Sequence, residues 1–153
     1  MPAQKLKKFL DEQGIRYVRV IHSPAYTSQE IAASAHVPGR ELAKTVMVRL
    51  DGRMAMAVVP ATRQIDLGKL KNATGADSAE IATEKDFRDT FPECEVGAMP
   101  PFGNLYNMKV VVDQSLQEDE TVAFNAGTHS ELVKMDLADY KRLVKPKIAD
   151  IAD

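Results

Sequence analysis

The sequence predicts an α+β domain built on a mixed, mostly antiparallel, barrel-like sheet surrounded by helices. Three observations predict it. Two alternating apolar runs, residues 42–50 and 53–60, are joined by Asp51-Gly52, the residue pair that a two-residue type I′ hairpin favours. A valine-rich run over residues 107–113 reads as a central strand. Helical and strand patterns are mixed without regular β-α-β alternation, which disfavours a doubly wound parallel sheet. The 153 residues fit a single domain spanning 1–153. A chain of this size buries roughly 69% of its extended surface, enough for a core without staples.

The elements follow in order. Leu6, Phe9 and Leu10 recur at helical spacing, so a helix is expected over residues 2–13, with Gly14 as its stop. Residues 15–22 read as a strand ended by Ser23-Pro24. Thr27-Ser28-Gln29-Glu30 is a capping-box pattern, and the helix it opens buries Ile31, Ala32 and Ala35 before Val37-Pro38-Gly39 ends it. After the hairpin, Asp66 is placed to cap a helix running to Asn72, and residues 78–82 form a short strand. Thr83 opens a helix to about Thr90. Residues 121–125 and 131–135 are two further strands, and Asp136 caps a last helix stopped by Lys145-Pro146.

Composition narrows the function. With 44% hydrophobic and 27% charged residues, the chain is neither disordered nor fibrous. No apolar run is long enough to cross a membrane, and the N-terminal lysines are interleaved with apolar residues without a secretory h-region. The one cysteine, Cys94, cannot form an internal disulfide, which suits a cytoplasmic protein. It lies between Glu93 and Glu95, which disfavour its thiolate. Three scattered histidines lack metal-ligand spacing, so no metal or other cofactor is expected. A net charge of −2 argues against general DNA binding.

Three features could carry chemistry. Lys44 shares a strand face with Leu42, Val46, Val48 and Leu50, and the hairpin register sets it opposite Val59. A lysine there either snorkels to the rim or holds an anion such as a phosphate or carboxylate. Gly97-Ala98-Met99-Pro100-Pro101-Phe102-Gly103 is a stiff loop with glycines at both ends. It serves either as a plain connection or to aim main-chain groups at a ligand at low entropic cost. Gly127-Thr128-His129 sits between two strands, where the imidazole either binds a substrate oxygen or holds the loop. The late basic cluster, Lys141, Arg142, Lys145 and Lys147, complements a helix dipole and is a weaker candidate for RNA phosphates.

Lys44-Thr45, Gly97 to Pro101 followed by Phe102-Gly103, and Gly127-x-His129 occur in one order. Together with His22-Ser23-Pro24-Ala25-Tyr26-Thr27 and Glu30-Ile31-Ala32, they resemble the YbaK and prolyl-tRNA synthetase-associated editing domain family, from about Gly14 to Val144. The resemblance implies a free-standing enzyme that hydrolyses the ester of a mischarged aminoacyl-tRNA without a metal. Lys44 would then meet the phosphate or terminal adenosine. Gly97, Ala98, Met99, Pro100 and Pro101 would place the amino acid and its ester, and His129 would line the same pocket. Thr45, Phe102, Gly103, Gly127 and Thr128 adjoin these positions, and Val46 is expected to help set the pocket's size. The implied partner is tRNA(Pro), with a synthetase as a further one. Thr45 leaves alanine, cysteine, serine and threonine esters open as substrates.

The chemistry suits this inventory. An aminoacyl ester is already activated, and the ribose offers a hydroxyl beside it. The protein then mainly orients groups and stabilises an oxyanion. A synthetase pocket separates side chains differing by one methylene by only about 1–3 kcal/mol, so a second, tighter site has a physical reason to exist. The competing reading is a non-catalytic tRNA- or synthetase-binding module of the same fold.

Overall fold

The computed structural model describes residues 4–21, 39–91, 94–95 and 97–153, with Arg88 described by its backbone alone. The expected helix opened by Thr27, and the motif segment from His22 to Ala32, lie outside the described residues.

The chain opens with helix α1 (Gln4–Glu12), which buries Leu6 and Leu10 and ends before Gly14 at φ +68°. Strand β1 (Tyr17–Ile21) follows. Strands β2 (Leu42–Leu50) and β3 (Arg53–Pro60) form the predicted hairpin, with Asp51 at φ +50° and Gly52 at φ +82°. Both positive angles are what a type I′ turn requires. Helix α2 (Leu67–Thr74) is capped by the Asp66 carboxylate, which accepts from Lys69 N. Strand β4 (Ala79–Ile81) and helix α3 (Glu84–Phe87) come next, and the latter tightens into a 3-10 turn over Arg88–Thr90. Asp86 accepts from both Thr83 N and Thr83 Oγ1, fixing the start of α3.

Strand β5 (Lys109–Asp113), β6 (Thr121–Asn125) and β7 (Glu131–Asp136) complete the larger strands. Helix α4 (Leu137–Val144) begins after Asp136 as expected, but the Asp136 side chain makes no capping hydrogen bond. Its extended backbone ends β7 directly into the helix, so the position is right and the capping chemistry is not. Strand β8 (Lys147–Ala149), beyond Lys145-Pro146, adds an element the pattern did not mark.

The strands form one sheet in the order β1-β7-β6-β2-β3-β5-β8, with β4 on the far half of β2. Pairings β1–β7, β7–β6, β2–β3 and β2–β4 are antiparallel, while β2–β6, β3–β5 and β5–β8 are parallel. Side chains from β2, β3, β5, β6 and β7 meet in one apolar cluster with Leu6, Leu10, Phe102 and Tyr140. Five strands thus share one core on one side of a mixed, mostly antiparallel sheet, as expected. The opposite face of β2 and β3 packs Val48, Ala55, Ala57 and Val59 against Leu70 of α2 and Ile151. Burial on both faces explains the near-continuous apolar run of β3.

Candidate active site

The site is assembled where β6 ends beside the first half of β2. Leu42 pairs with Ala123 and Ala43 with Phe124, so the turn after β6 emerges next to Lys44 and Thr45. Glu95 and Ala98 are laced to Gly127 and His129. Glu95 N donates to Gly127 O at 2.7 Å, Gly127 N to Ala98 O at 2.9 Å, and Ala98 N to Glu95 O at 3.0 Å. The Glu95 carboxylate accepts from His129 N at 2.9 Å. Thr128 Oγ1 and Ser130 Oγ lie 3.3 Å apart and brace the turn from within.

Gly97 and Gly127 have φ of +85° and +97°, in the region that favours glycine. A methyl group built on Gly97 would sit 3.5 Å from His129 Cε1. The structure therefore brings Gly97 and His129 together, two positions far apart in the chain. Glu95 is the residue that sequence reasoning missed. Its only local signal is an acid two positions before Gly97, and its partner lies in another loop.

The proline step is rigid for a second reason. The buried Tyr140 hydroxyl donates to Pro101 O at 2.7 Å. Burial pushes the Tyr140 pKa well above the usual phenol range, so it remains a donor at all working pH. Met99, Pro100 and Pro101 are buried, and Ala98 is fully so. Phe102 is fully buried within an aromatic cluster, with Phe124 and Tyr140 rings at 5.3 Å and Phe9 at 6.3 Å. Gly103 packs so closely that a Cβ would lie 2.4 Å from Met108 O. The structure thus splits the expected loop. Gly97 and Ala98 face the histidine turn, while Phe102 and Gly103 anchor the loop in the core. Gly103→Ala is expected to destabilise the protein by about 1–3 kcal/mol through overpacking, measured as a fall in denaturant midpoint.

Lys44 lies opposite Val59 as expected and is half-buried. Its Nζ donates to Arg63 O at 3.0 Å. Burial draws its pKa below the usual lysine range, and the Asp153 charge opposes that in part. Lys44 and Val46 are on the face that packs against α2 and the last residues, whereas Ala43 and Met47 point into the core with Met99. Thr45, between them by strand alternation, points to the Met99 side. No described hydrogen bond joins Lys44 directly to the Gly97–His129 pair.

The Lys44 partner is itself held. The Arg63 guanidinium donates to Asp153 O at 2.9 Å through Nε and reaches Asp113 Oδ2 at 3.5 Å. The fully buried Asp113 carboxylate accepts from Ile151 N at 2.9 Å and Ala152 N at 3.0 Å, as well as from Ser115. Among the described residues, no cluster of three or more His, Cys, Asp or Glu side chains is arranged to hold a metal ion.

The chain is thus an α+β domain in which two glycine turns are laced together at the end of β6. The sequence profile of the aminoacyl-tRNA editing domain matches residues 22–143, and the chain belongs to that family. It is 27% identical over 152 residues to the multifunctional Ser/Thr-tRNA deacylase ProXp-y of Escherichia coli (strain K12), covering 96% of this chain and 90% of that protein. It is 29% identical over 101 residues to the proline–tRNA ligase of Streptococcus pneumoniae (strain 70585), covering 66% of this chain and 16% of the ligase. The crystal structure of a candidate trans-editing enzyme for prolyl tRNA synthetase superimposes with a TM-score of 0.82 at 21% identity, over 99% of this chain and 96% of that one. Among the described residues, no helix is long and apolar enough to cross a membrane.

Proposed function

We propose that this chain is an aminoacyl-tRNA deacylase that removes a small wrong amino acid from tRNA(Pro), with serine and threonine esters as its preferred substrates. Membership of the editing family and similarity to a Ser/Thr-tRNA deacylase along nearly the whole chain support the reaction class. The similarity to a segment of a proline–tRNA ligase supports the choice of tRNA. The observation that carries the site is the lacing of Glu95 and Ala98 to Gly127 and His129, which holds Gly97 against His129 beside the start of β2.

In this reading, Lys44 binds the terminal phosphate or adenosine and fixes the ribose. The Gly97–Pro101 main chain places the amino acid, and His129 orients an ester or ribose oxygen. The neighbouring ribose hydroxyl positions the attacking water and relays its proton to the departing ribose oxygen. Water attacks the ester carbon, and the ester C–O bond then breaks to leave free amino acid and a tRNA 3′-terminal hydroxyl. Holding these groups in register supplies most of the acceleration, because the ester is already activated. The short pinned loops suit that task better than a flexible lid would.

The test is deacylation of tRNA(Pro) charged separately with serine, threonine, alanine, cysteine or proline. Serine and threonine are expected to be released fastest and proline spared. If none of the five esters is cleaved above the rate in buffer, while the tRNA still binds, the non-catalytic module is the correct reading.

A further inference from the structure

The end of the sheet remote from Lys44 holds a cavity. It has a volume of about 1130 Å³ and is walled by Met54, Tyr106, Val110 and Val144, with the α2 terminus at Thr74-Gly75 on one side. Arg53, Lys109, Lys145 and Lys147 line it, against a single carboxylate among the described residues, that of Asp51. Asp51 is already engaged, accepting from Asp77 N at 3.0 Å and Ser78 N at 2.9 Å. None of the four cations has a carboxylate partner among the described residues.

Topology explains why they gather. Arg53, Lys109 and Lys147 are the first residues of β3, β5 and β8, which are parallel neighbours. Lys109 pairs with Ala55, and Lys147 pairs with Val111. Each cation is thus stepped two residues from the last, on one pleat face. Strand spacing and rise place successive Cα atoms about 8 Å apart on a diagonal. The same face carries Lys44, which pairs with Val59 six residues along β3 from Arg53, about 20 Å away. Lys145 adds a fourth cation at the C-cap of α4 with φ +52°, where glycine would be less strained. Lys5 approaches the Tyr106 ring at 4.7 Å beside the same wall.

We infer that this cationic edge docks the phosphodiester backbone of the substrate RNA, whose acceptor end reaches Lys44 around the outside of α2, the helix that covers the sheet face between them. The inference rests on the proposed reading of Lys44 for its direction, and on charge complementarity for its ligand. A protein of net charge −2 that gathers four uncompensated cations at one cavity presents a local field for a polyanion. Regular spacing on a rigid edge suits repeating phosphates better than a single small anion.

The experiment uses the full chain with Arg53, Lys109 and Lys147 all changed to glutamine, three exposed positions whose loss leaves the core intact. The KM for full-length aminoacyl-tRNA is expected to rise about tenfold or more at low salt, with kcat unchanged. The slope of log affinity for uncharged tRNA against log salt should flatten by about 2–3. A 3′-aminoacyl-adenosine, too short to reach the edge, should be cleaved as by the unaltered protein. An unchanged KM and salt slope overturn the inference and leave the edge to an acidic protein partner. Equal losses on the short and long substrates also overturn it, because the edge would then not be separable from the ester site. If the unaltered protein cleaves no ester, the tRNA-binding arm still decides. Weakened binding in the variant keeps the docking edge while the catalytic reading fails.

Discussion

Lys44→Ala is expected to lower kcat/KM for deacylation by about 10- to 150-fold and to leave the fold intact. A hydrogen bond from a charged donor in a partly desolvated site contributes about 1.5–3 kcal/mol, roughly tenfold to 150-fold in rate where it acts in the transition state. Lys44 lies near the start of β2 and is only half-buried, so truncation is expected to leave no large enclosed cavity. Its Nζ already has an acceptor, Arg63 O, and that bond is the competing explanation for the residue. The two accounts separate cleanly. A structural lysine would cost stability and leave the specific activity of the folded fraction unchanged. A substrate-binding lysine would do the reverse, and Lys44→Arg would then recover part of the rate. The pH dependence has a definite sign. Burial lowers the Lys44 pKa, and the protonated ammonium is the binding form. Affinity for tRNA should therefore decline as pH rises toward the usual lysine value of about 10.4, beginning below it. Measured binding that holds constant through that range would remove the ammonium from the mechanism.

Most of the sheet was legible because its signals are local. The β2–β3 hairpin needs two residues at positive φ, and Asp51-Gly52 supplies them in sequence. Strand β8 was not legible, because three residues behind Pro146 carry no usable alternation and owe their conformation to pairing with β5. The Asp136 cap was misread for a related reason. The residue has the right identity and position, but whether its carboxylate turns to the helix depends on packing. In the site, the glycines at 97 and 127 were visible as turn residues. Their junction through Glu95 was not, since that carboxylate accepts from an N–H in another loop. The heptapeptide from Gly97 to Gly103 looked like one unit in sequence. Only tertiary packing assigns Phe102 to the aromatic core and Gly97 to the histidine. The cationic edge was partly visible as Lys145 and Lys147. Arg53 and Lys109 join them only through the parallel registers of β3, β5 and β8.

The largest effect on stability is expected at Asp113. Its carboxylate is fully buried at the end of β5 and receives two main-chain N–H groups of the final segment, Ile151 and Ala152, together with Ser115 N and Oγ. Burial alone would push its pKa up, but the bonds from Ser115, Ile151 and Ala152 outweigh that and hold it below the usual carboxylate range. Asp113→Ala strands those donors in a dry site, at about 1–3 kcal/mol each, and removes the anion facing Arg63. A loss of about 3–5 kcal/mol follows, or roughly 6–20 °C in Tm for a domain of this size. Asp113→Asn retains an acceptor and should cost less. A depressed folded pKa stabilises the protein fully above the unfolded value of about 3.9, and that contribution is lost as pH falls through the folded value. Thermal melts from pH 7 down to about pH 2 should show the unaltered protein losing its advantage over Asp113→Asn in the acid arm. Parallel curves for the two would refute the linkage. Because the Arg63 guanidinium faces Asp113 and the Arg63 carbonyl is the Lys44 acceptor, Asp113→Asn should also raise the KM for aminoacyl-tRNA more than it lowers kcat. The expected rise is severalfold, since displacing that carbonyl disturbs where the ammonium rests while leaving the Gly97–His129 pair in place.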